Sequence, residues 1–227
     1  MKELKETELK IGGRECLIFS CQDPEVLIVE PSMGFREAGE EAEKLKEAGV
    51  PFAFAVFRTE DWNRELSPWK APAVFGNEDF GDGAEETLSF IEKDMIPALK
   101  KKIGDIPVAL GGYSLAGFFA LWAAYRTESF SAAAAVSPSV WFPGWIEYAS
   151  ERSPKAKAIY LSLGKKEAKT RNPVMATVAD CIEKQYSLLK KAGIKCALEW
   201  NEGNHFKDPA ERTAKGILWC LKNIKEK

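Results

Sequence analysis

Histidine occurs once in the 227-residue chain, at His205, which argues against any histidine-based metal site. The five cysteines (Cys16, Cys21, Cys181, Cys196, Cys220) are odd in number, scattered, and lack C-x-x-C spacing. They read as reduced thiols of a cytoplasmic protein and not as a disulfide frame or zinc site. Neither sign of charge dominates: 32 basic residues face 34 acidic ones, with a net charge of −2. Without a basic stripe, nucleic acid is a poor partner, and Lys100-Lys101-Lys102 reads as a helix end where cations complement the macrodipole. No apolar run approaches the roughly 18 residues that span a bilayer, and Met1–Glu6 lacks the apolar segment of a secretory signal. Repeats, low-complexity tracts and linkers are also absent. The expectation is a single α/β domain over residues 1–227, with no metal, no cofactor and no membrane partner, and nothing in the sequence fixes an oligomeric state.

What the chain does contain is one well-marked stretch, Ile106 to Leu121. The apolar run Val108-Ala109-Leu110 leads into Gly111-Gly112-Tyr113-Ser114-Leu115-Ala116-Gly117 and then into helix-forming residues. That pattern predicts a strand, a very tight turn and a helix, with Ser114 at the turn and its hydroxyl above the sheet. The turn brings strand and helix so close that the positions two before and two after the serine must be small, and they are Gly112 and Ala116.

Alternation continues on both sides. Two β-like runs occupy residues 5–20, and Val26–Val29 is a third, followed by a loop from Glu30 to Phe35. Arg36–Ala48 is expected to be helical, with Ala38, Ala42 and Leu45 inward and Gly49 at its C′ position. Pro51–Phe57 is a continuous apolar run, as in a buried parallel strand. The segment Arg58–Gly83, rich in Pro, Gly and Trp, reads as a long functional loop. Ala84–Lys101 is helical, with Leu88, Ile91, Met95 and Leu99 on one stripe and Pro97 expected to kink it or end it early. After Phe118–Tyr125 come a strand at Ser131–Val136, another at Ala156–Leu163, and a helix at Val174–Lys191 with periodicity through Val174, Val178, Ile182 and Leu189. The last strand is Cys196–Trp200. Asp208-Pro209 opens the final helix as N-cap and N1, with Ala210, Ala214, Ile217, Leu218 and Leu221 inward. Such alternation predicts a mostly parallel, doubly wound sheet flanked by helices.

Loops at the carboxyl ends of parallel strands share one edge, where ligands bind. Ser114, Glu167 and His205 each follow a predicted strand, and their order is that of the α/β-hydrolase triad. Ser114 is the candidate nucleophile and needs a base; His205 is the only imidazole available. Glu167 is the candidate acid, with Asp180 and Asp208 as rivals on helices expected to face away. The backbone N–H of Leu115 is one candidate oxyanion donor, and the second is placed near Ser32 and Met33. Trp62, Trp69 and Trp141 are candidates for an aromatic pocket.

The sequence resembles the enterochelin- and feruloyl-esterase-like branch of the α/β-hydrolase superfamily. The resemblance rests on Gly-Gly-Tyr-Ser-Leu-Ala-Gly at 111–117, on Ser137-Pro138-Ser139-Val140-Trp141 and on Gly203-Asn204-His205. It rests also on Trp62-Asn63 with Leu66-Ser67-Pro68-Trp69, a block shared with small bacterial members; Asn63 joins the tryptophans as a substrate-binding candidate on that basis. It implies an α/β-hydrolase fold and a serine hydrolase cleaving small-molecule carboxylic esters, with Ser114 as nucleophile, His205 as base and Glu167 as third member. Ala116 stands where many members have glycine, and no His-Gly-Gly block precedes the long loop. An acyltransferase using the same residues, or a catalytically silent scaffold, would share these features.

Overall fold

The computed structural model describes residues 4–224. Its eight strands are β1 (Lys5–Ile11), β2 (Arg14–Ser20), β3 (Val26–Ser32), β4 (Phe52–Arg58), β5 (Val108–Tyr113), β6 (Ala132–Val136), β7 (Ala158–Gly164) and β8 (Lys195–Asn201). They form one sheet in the order β1-β2-β4-β3-β5-β6-β7-β8. β1 and β2 pair antiparallel with each other, and β2 pairs antiparallel with β4. Every other pairing is parallel. The central strands are apolar on both faces because helices cover both sides. On one face lie α1 (Ala38–Leu45) and α8 (Pro209–Ile224), packed on Ile28, Phe54, Ala134 and Tyr160. On the other lie α3 (Ala84–Phe90), α4 (Ile96–Ile103), α5 (Leu115–Arg126) and α7 (Val178–Lys191), against Val29, Ala55, Leu110 and Leu161. Two short helices, α2 (Trp62–Glu65) and α6 (Trp145–Ser150), complete the set among the described residues.

α5 is buried from Leu115 to Tyr125. It can approach the sheet closely because β6 presents only small side chains to it, those of Ala133 and Ala135, both buried. Large side chains such as Phe118, Phe119 and Leu121 then fill the space between the layers, and each stabilises the fold by about 1.5–3 kcal/mol.

Several boundaries differ from the sequence-based expectation. β3 runs on through Glu30, Pro31 and Ser32, where a loop was expected. Its ladder with β5 covers only Leu27 to Val29, whereas pairing with β4 continues to Ser32. Pro31 therefore faces no β5 partner for its missing N–H. The helix expected from Arg36 begins at Ala38 and closes with a 3-10 turn at Lys46–Ala48, and Gly49 adopts the left-handed conformation at φ 65°. Pro97 does not end its helix. The turn Ile91–Met95 widens to π geometry, closed by the Ile96 N–H donating to the Ile91 carbonyl, and Pro97 falls in the first turn of α4, where a missing N–H costs little. The expected loop Arg58–Gly83 contains α2, capped by Asp61, whose carboxylate accepts from the Arg64 N–H at 2.9 Å. Val174, expected to face inward, is 39% exposed, because α7 proper begins only at Val178. α6 went unanticipated. No helix among the described residues is long and apolar enough to cross a membrane.

Candidate active site

Ser114 sits between β5 and α5 at φ 59° and ψ −119°, a region that costs a non-glycine residue about 1–3 kcal/mol. Three hydrogen bonds hold it there. Its N–H donates to the Val136 carbonyl at 3.0 Å, and its own carbonyl accepts from Phe118 at 2.9 Å and Ser139 at 3.1 Å. The corner is as tight as the sequence implies: a Cβ on Gly112 would lie 2.5 Å from the Ala116 carbonyl carbon. Only glycine fits at 112 without pushing α5 off the strand.

The His205 ring reaches Ser114 from the loop after β8, with Nε2 at 3.0 Å from the serine Oγ. On its other side Nδ1 lies 2.8 Å from Glu167 Oε2. An ionised carboxylate only accepts, so the hydrogen-bond pattern assigns the ring proton to Nδ1 and leaves the Nε2 lone pair toward Ser114. Glu167 is no solvated turn residue; its side chain is 4% exposed. Its Oε1 accepts from the Gly164 N–H at 2.7 Å, the Ser137 hydroxyl at 2.8 Å and Arg212 Nη1 at 3.3 Å. The rival acids Asp180 and Asp208 are both exposed.

Arg212, on the inner face of α8, ties this arrangement together. Besides Glu167 it donates to the Tyr113 hydroxyl at 3.2 Å, the Asn204 carbonyl at 3.1 Å and the Glu202 carbonyl at 2.6 Å. Tyr113 in turn donates to the His205 carbonyl at 2.6 Å, and burial pushes its phenol above the usual value. The loops carrying the acid and the histidine are thus fastened to one guanidinium. Sequence reasoning named none of Ser137, Tyr113 and Arg212 for this role. Ser137 does stand in the block 137–141 that carries the resemblance, at φ 43°, the one trace it left in the sequence.

A cavity of about 800 Å³ opens over Ser114. Ser32, Met33, Trp62 and Trp141 line it, as do Phe75, Met175, Val178 and Phe206. Three of the four exposed large apolar side chains among the described residues, Met33, Phe75 and Phe206, border this one space, an apolar mouth suited to an acyl or aryl group. The Leu115 N–H begins α5 beside Ser114, at the positive end of the helix dipole. Two pocket candidates fall elsewhere. Trp69 is spent on packing: its Nε1 donates to the Pro143 carbonyl at 2.8 Å, and its ring meets Phe142 and Tyr148. Asn63 borders a separate surface hollow and donates to the Glu78 carbonyl. Trp62 borders both the cavity over Ser114 and that hollow, whereas its neighbour Asn63 borders the hollow and not the cavity. Among the described residues, no group of three or more His, Cys, Asp or Glu side chains is arranged to hold a metal ion.

One flank of the cavity is acidic. Glu30, near the end of β3, and Glu41, on the sheet-facing side of α1, are 6% and 4% exposed. Burial, with Glu37 adding repulsion, pushes the Glu30 carboxyl up to about 8, and burial with the neighbouring Glu30, Glu37 and Glu40 raises Glu41 well above the carboxylate range. Between the ordinary carboxylate value of 4.5 and about 8 the native protein keeps a proton that the unfolded chain has released. Glu30 therefore costs nothing at low pH and destabilises the fold progressively as pH rises through that window. Glu30→Gln is expected to raise Tm by several degrees near pH 9 and by much less near pH 5, measured by calorimetry. An equal effect at both values would contradict the assignment.

The doubly wound sheet, the strained serine at a strand–helix corner and the cavity at the carboxyl edge are those of an α/β-hydrolase fold. The Putative esterase family model matches residues 35–206, and the chain belongs to that family. Among solved structures it is similar to the siderophore hydrolase EstA from Aspergillus nidulans, at 17% identity and TM-score 0.74 over 98% of this chain and 95% of that one. It is similar also to the enterobactin esterase FES from Shigella flexneri, at 15% identity and TM-score 0.73 over 100% of this chain and 61% of that one. A ferulic acid esterase matches at 14% identity and TM-score 0.67, over 98% of this chain and 97% of that one. At these identities the likeness speaks for the fold alone. No curated protein sequence matches.

Proposed function

We propose that the protein hydrolyses small-molecule carboxylic esters through an acyl-enzyme on Ser114, with His205 as general base and acid and Glu167 as the group that orients it. The observation that carries this reading is the unbroken chain from Ser114 Oγ to His205 Nε2, at 3.0 Å, and from His205 Nδ1 to Glu167 Oε2, at 2.8 Å, beneath an open cavity. As Oγ bonds to the ester carbonyl carbon, its proton passes to Nε2 and the carbonyl π pair moves onto oxygen. Glu167 holds the ring in the tautomer that can accept this proton and stabilises the imidazolium. The developing oxyanion is met by the Leu115 N–H and by a second backbone donor at Ser32–Met33. Collapse expels the alcohol, which takes the proton from Nε2. Water then repeats the sequence to release the acid. Trp62 and Trp141 wall the apolar part of the substrate.

Residues 1–227 act here as one α/β-hydrolase domain, a reading supported by the single sheet. Five unpaired cysteines fit a cytoplasmic setting. With p-nitrophenyl butyrate the reading predicts a burst of about one nitrophenolate per chain when deacylation is the slower step, followed by linear turnover. Glu167→Gln keeps the shape but leaves the wrong hydrogen-bonding partner at Nδ1, and is expected to lower kcat by roughly 10³–10⁴ with KM nearly unchanged. Steady-state kinetics with unchanged turnover would remove Glu167 from its role.

A further inference from the structure

The acidic flank of the cavity is not needed for ester cleavage as such, and its chemistry calls for an explanation. Glu30 Oε2 is buried and has no hydrogen-bond partner among the described residues. It lies 3.7 Å from where a Cβ on Gly111 would stand, three residues before Ser114 on the strand that delivers the serine. Glu41 faces the same space from α1, and Glu37 and Arg36 complete this side of the lining. Three carboxyls against one guanidinium leave a surplus of acceptors. Glu37 is exposed, but burying Glu30 and Glu41 is costly unless a proton or a cationic donor meets them. Trp62, Phe75 and Trp141 make another part of the lining apolar. The cavity that holds Ser114 therefore joins two chemically different linings.

Resting on the esterase reading above, we propose that this acidic flank is a specificity subsite for a primary ammonium group, so that the preferred substrates are esters carrying an amine. An ammonium brings three donors and a positive charge, matching the unpartnered oxygen of Glu30 and the carboxyl of Glu41. As it binds, the carboxyl that meets it releases its proton to solvent and the ion pair takes the proton's place. Arg36, at the rim, sets the limit on how much positive charge the flank accepts. A neutral ester leaves the buried carboxyls as they were and gains nothing there.

The test compares isosteric substrates that differ only in an ammonium replacing a methyl group. On the acyl side, the p-nitrophenyl ester of aminohexanoic acid is set against that of heptanoic acid; on the alcohol side, aminopentyl butyrate against hexyl butyrate. Near neutral pH the amino member of at least one pair is expected to have about tenfold or greater advantage in kcat/KM, the scale of one charge-assisted hydrogen bond. Which pair shows it tells whether the subsite reads the acyl or the alcohol half. Glu30→Gln and Glu41→Gln should each drive that ratio toward one. A binding measurement separates this proposal from the catalytic reading: Ser114→Ala protein should bind pentylammonium by calorimetry and bind pentanol at least about tenfold more weakly. Equal or better hydrolysis of the neutral members in both pairs overturns the subsite, as does an ammonium advantage that survives both glutamine variants. If a variant fails to fold, the ratio in the unaltered enzyme and the calorimetry decide alone. Failure of the esterase reading would look different: either the parent would turn over no member of either pair, or Ser114→Ala would turn them over as the parent does.

Discussion

Ser114→Ala is expected to lower kcat/KM for p-nitrophenyl butyrate by roughly 10⁴–10⁶, while melting at a temperature equal to or above that of the parent. The size of the loss follows from the role: without Oγ no acyl-enzyme forms, and what remains is the oxyanion donors acting on water. The stability half of the expectation comes from the backbone. Ser114 holds φ 59° in either variant, and its three backbone hydrogen bonds do not involve the hydroxyl. Removing the hydroxyl takes away one partner of His205 and none that supports the fold. A folded variant with parental activity would mean that the strained serine is an ornament of the turn.

Removing the imidazole gives the second large effect. His205→Gln is expected to cost roughly 10⁴–10⁶ in kcat, and the double variant Ser114→Ala/His205→Gln no more than the worse single, because the two groups act as a unit. The chain offers an unusually clean second readout. His205 is the sole histidine, so diethyl pyrocarbonate added to the native enzyme modifies one imidazole per chain and should abolish activity in step with it. Its ring is 26% exposed, accessible enough to react. Multiplicative losses in the double variant would show that serine and histidine act independently and that the 3.0 Å contact carries no proton.

Much of this site was legible in the sequence, for a physical reason. A serine on a tight strand–helix turn imposes small residues at fixed offsets, and Gly112 and Ala116 display them. The acid and the histidine could be located because parallel strands put their following loops on one edge, and Gly164–Glu167 and Asn201–His205 each end a strand. What escaped notice are groups whose importance lies in partners distant along the chain. Arg212 is two residues from Ala210 and Ala214, which the helical pattern turned inward, yet a charged side chain reads as surface until its partners are known. Those partners come from three places in the chain: Tyr113 ends β5, Glu167 lies in the loop after β7, and Glu202 and Asn204 lie in the loop after β8. Glu30 and Pro31 misled in a related way: a charge and a proline resemble the end of a strand, whereas β3 continues through both along β4. Burial of Glu41 was equally hidden, since α1 shows acids around most of its surface and only the tertiary packing turns one of them toward the sheet. Trp62, Trp69 and Trp141 looked alike in sequence; their separation into two that border the cavity and one that packs behind it was set by the turn of α2 and by the Pro143 carbonyl.

The central claim is that one hydroxyl, made nucleophilic by the lone imidazole, carries the acyl group. Intact-protein mass spectrometry after treatment with a fluorophosphonate, followed by peptide mapping, reads this directly. The account predicts a single adduct per chain on the peptide containing Ser114, formed rapidly by the parent enzyme, slowly by His205→Gln and not at all by Ser114→Ala. An enzyme that hydrolyses esters while the reagent leaves Ser114 unmodified, or settles on another serine, would contradict it.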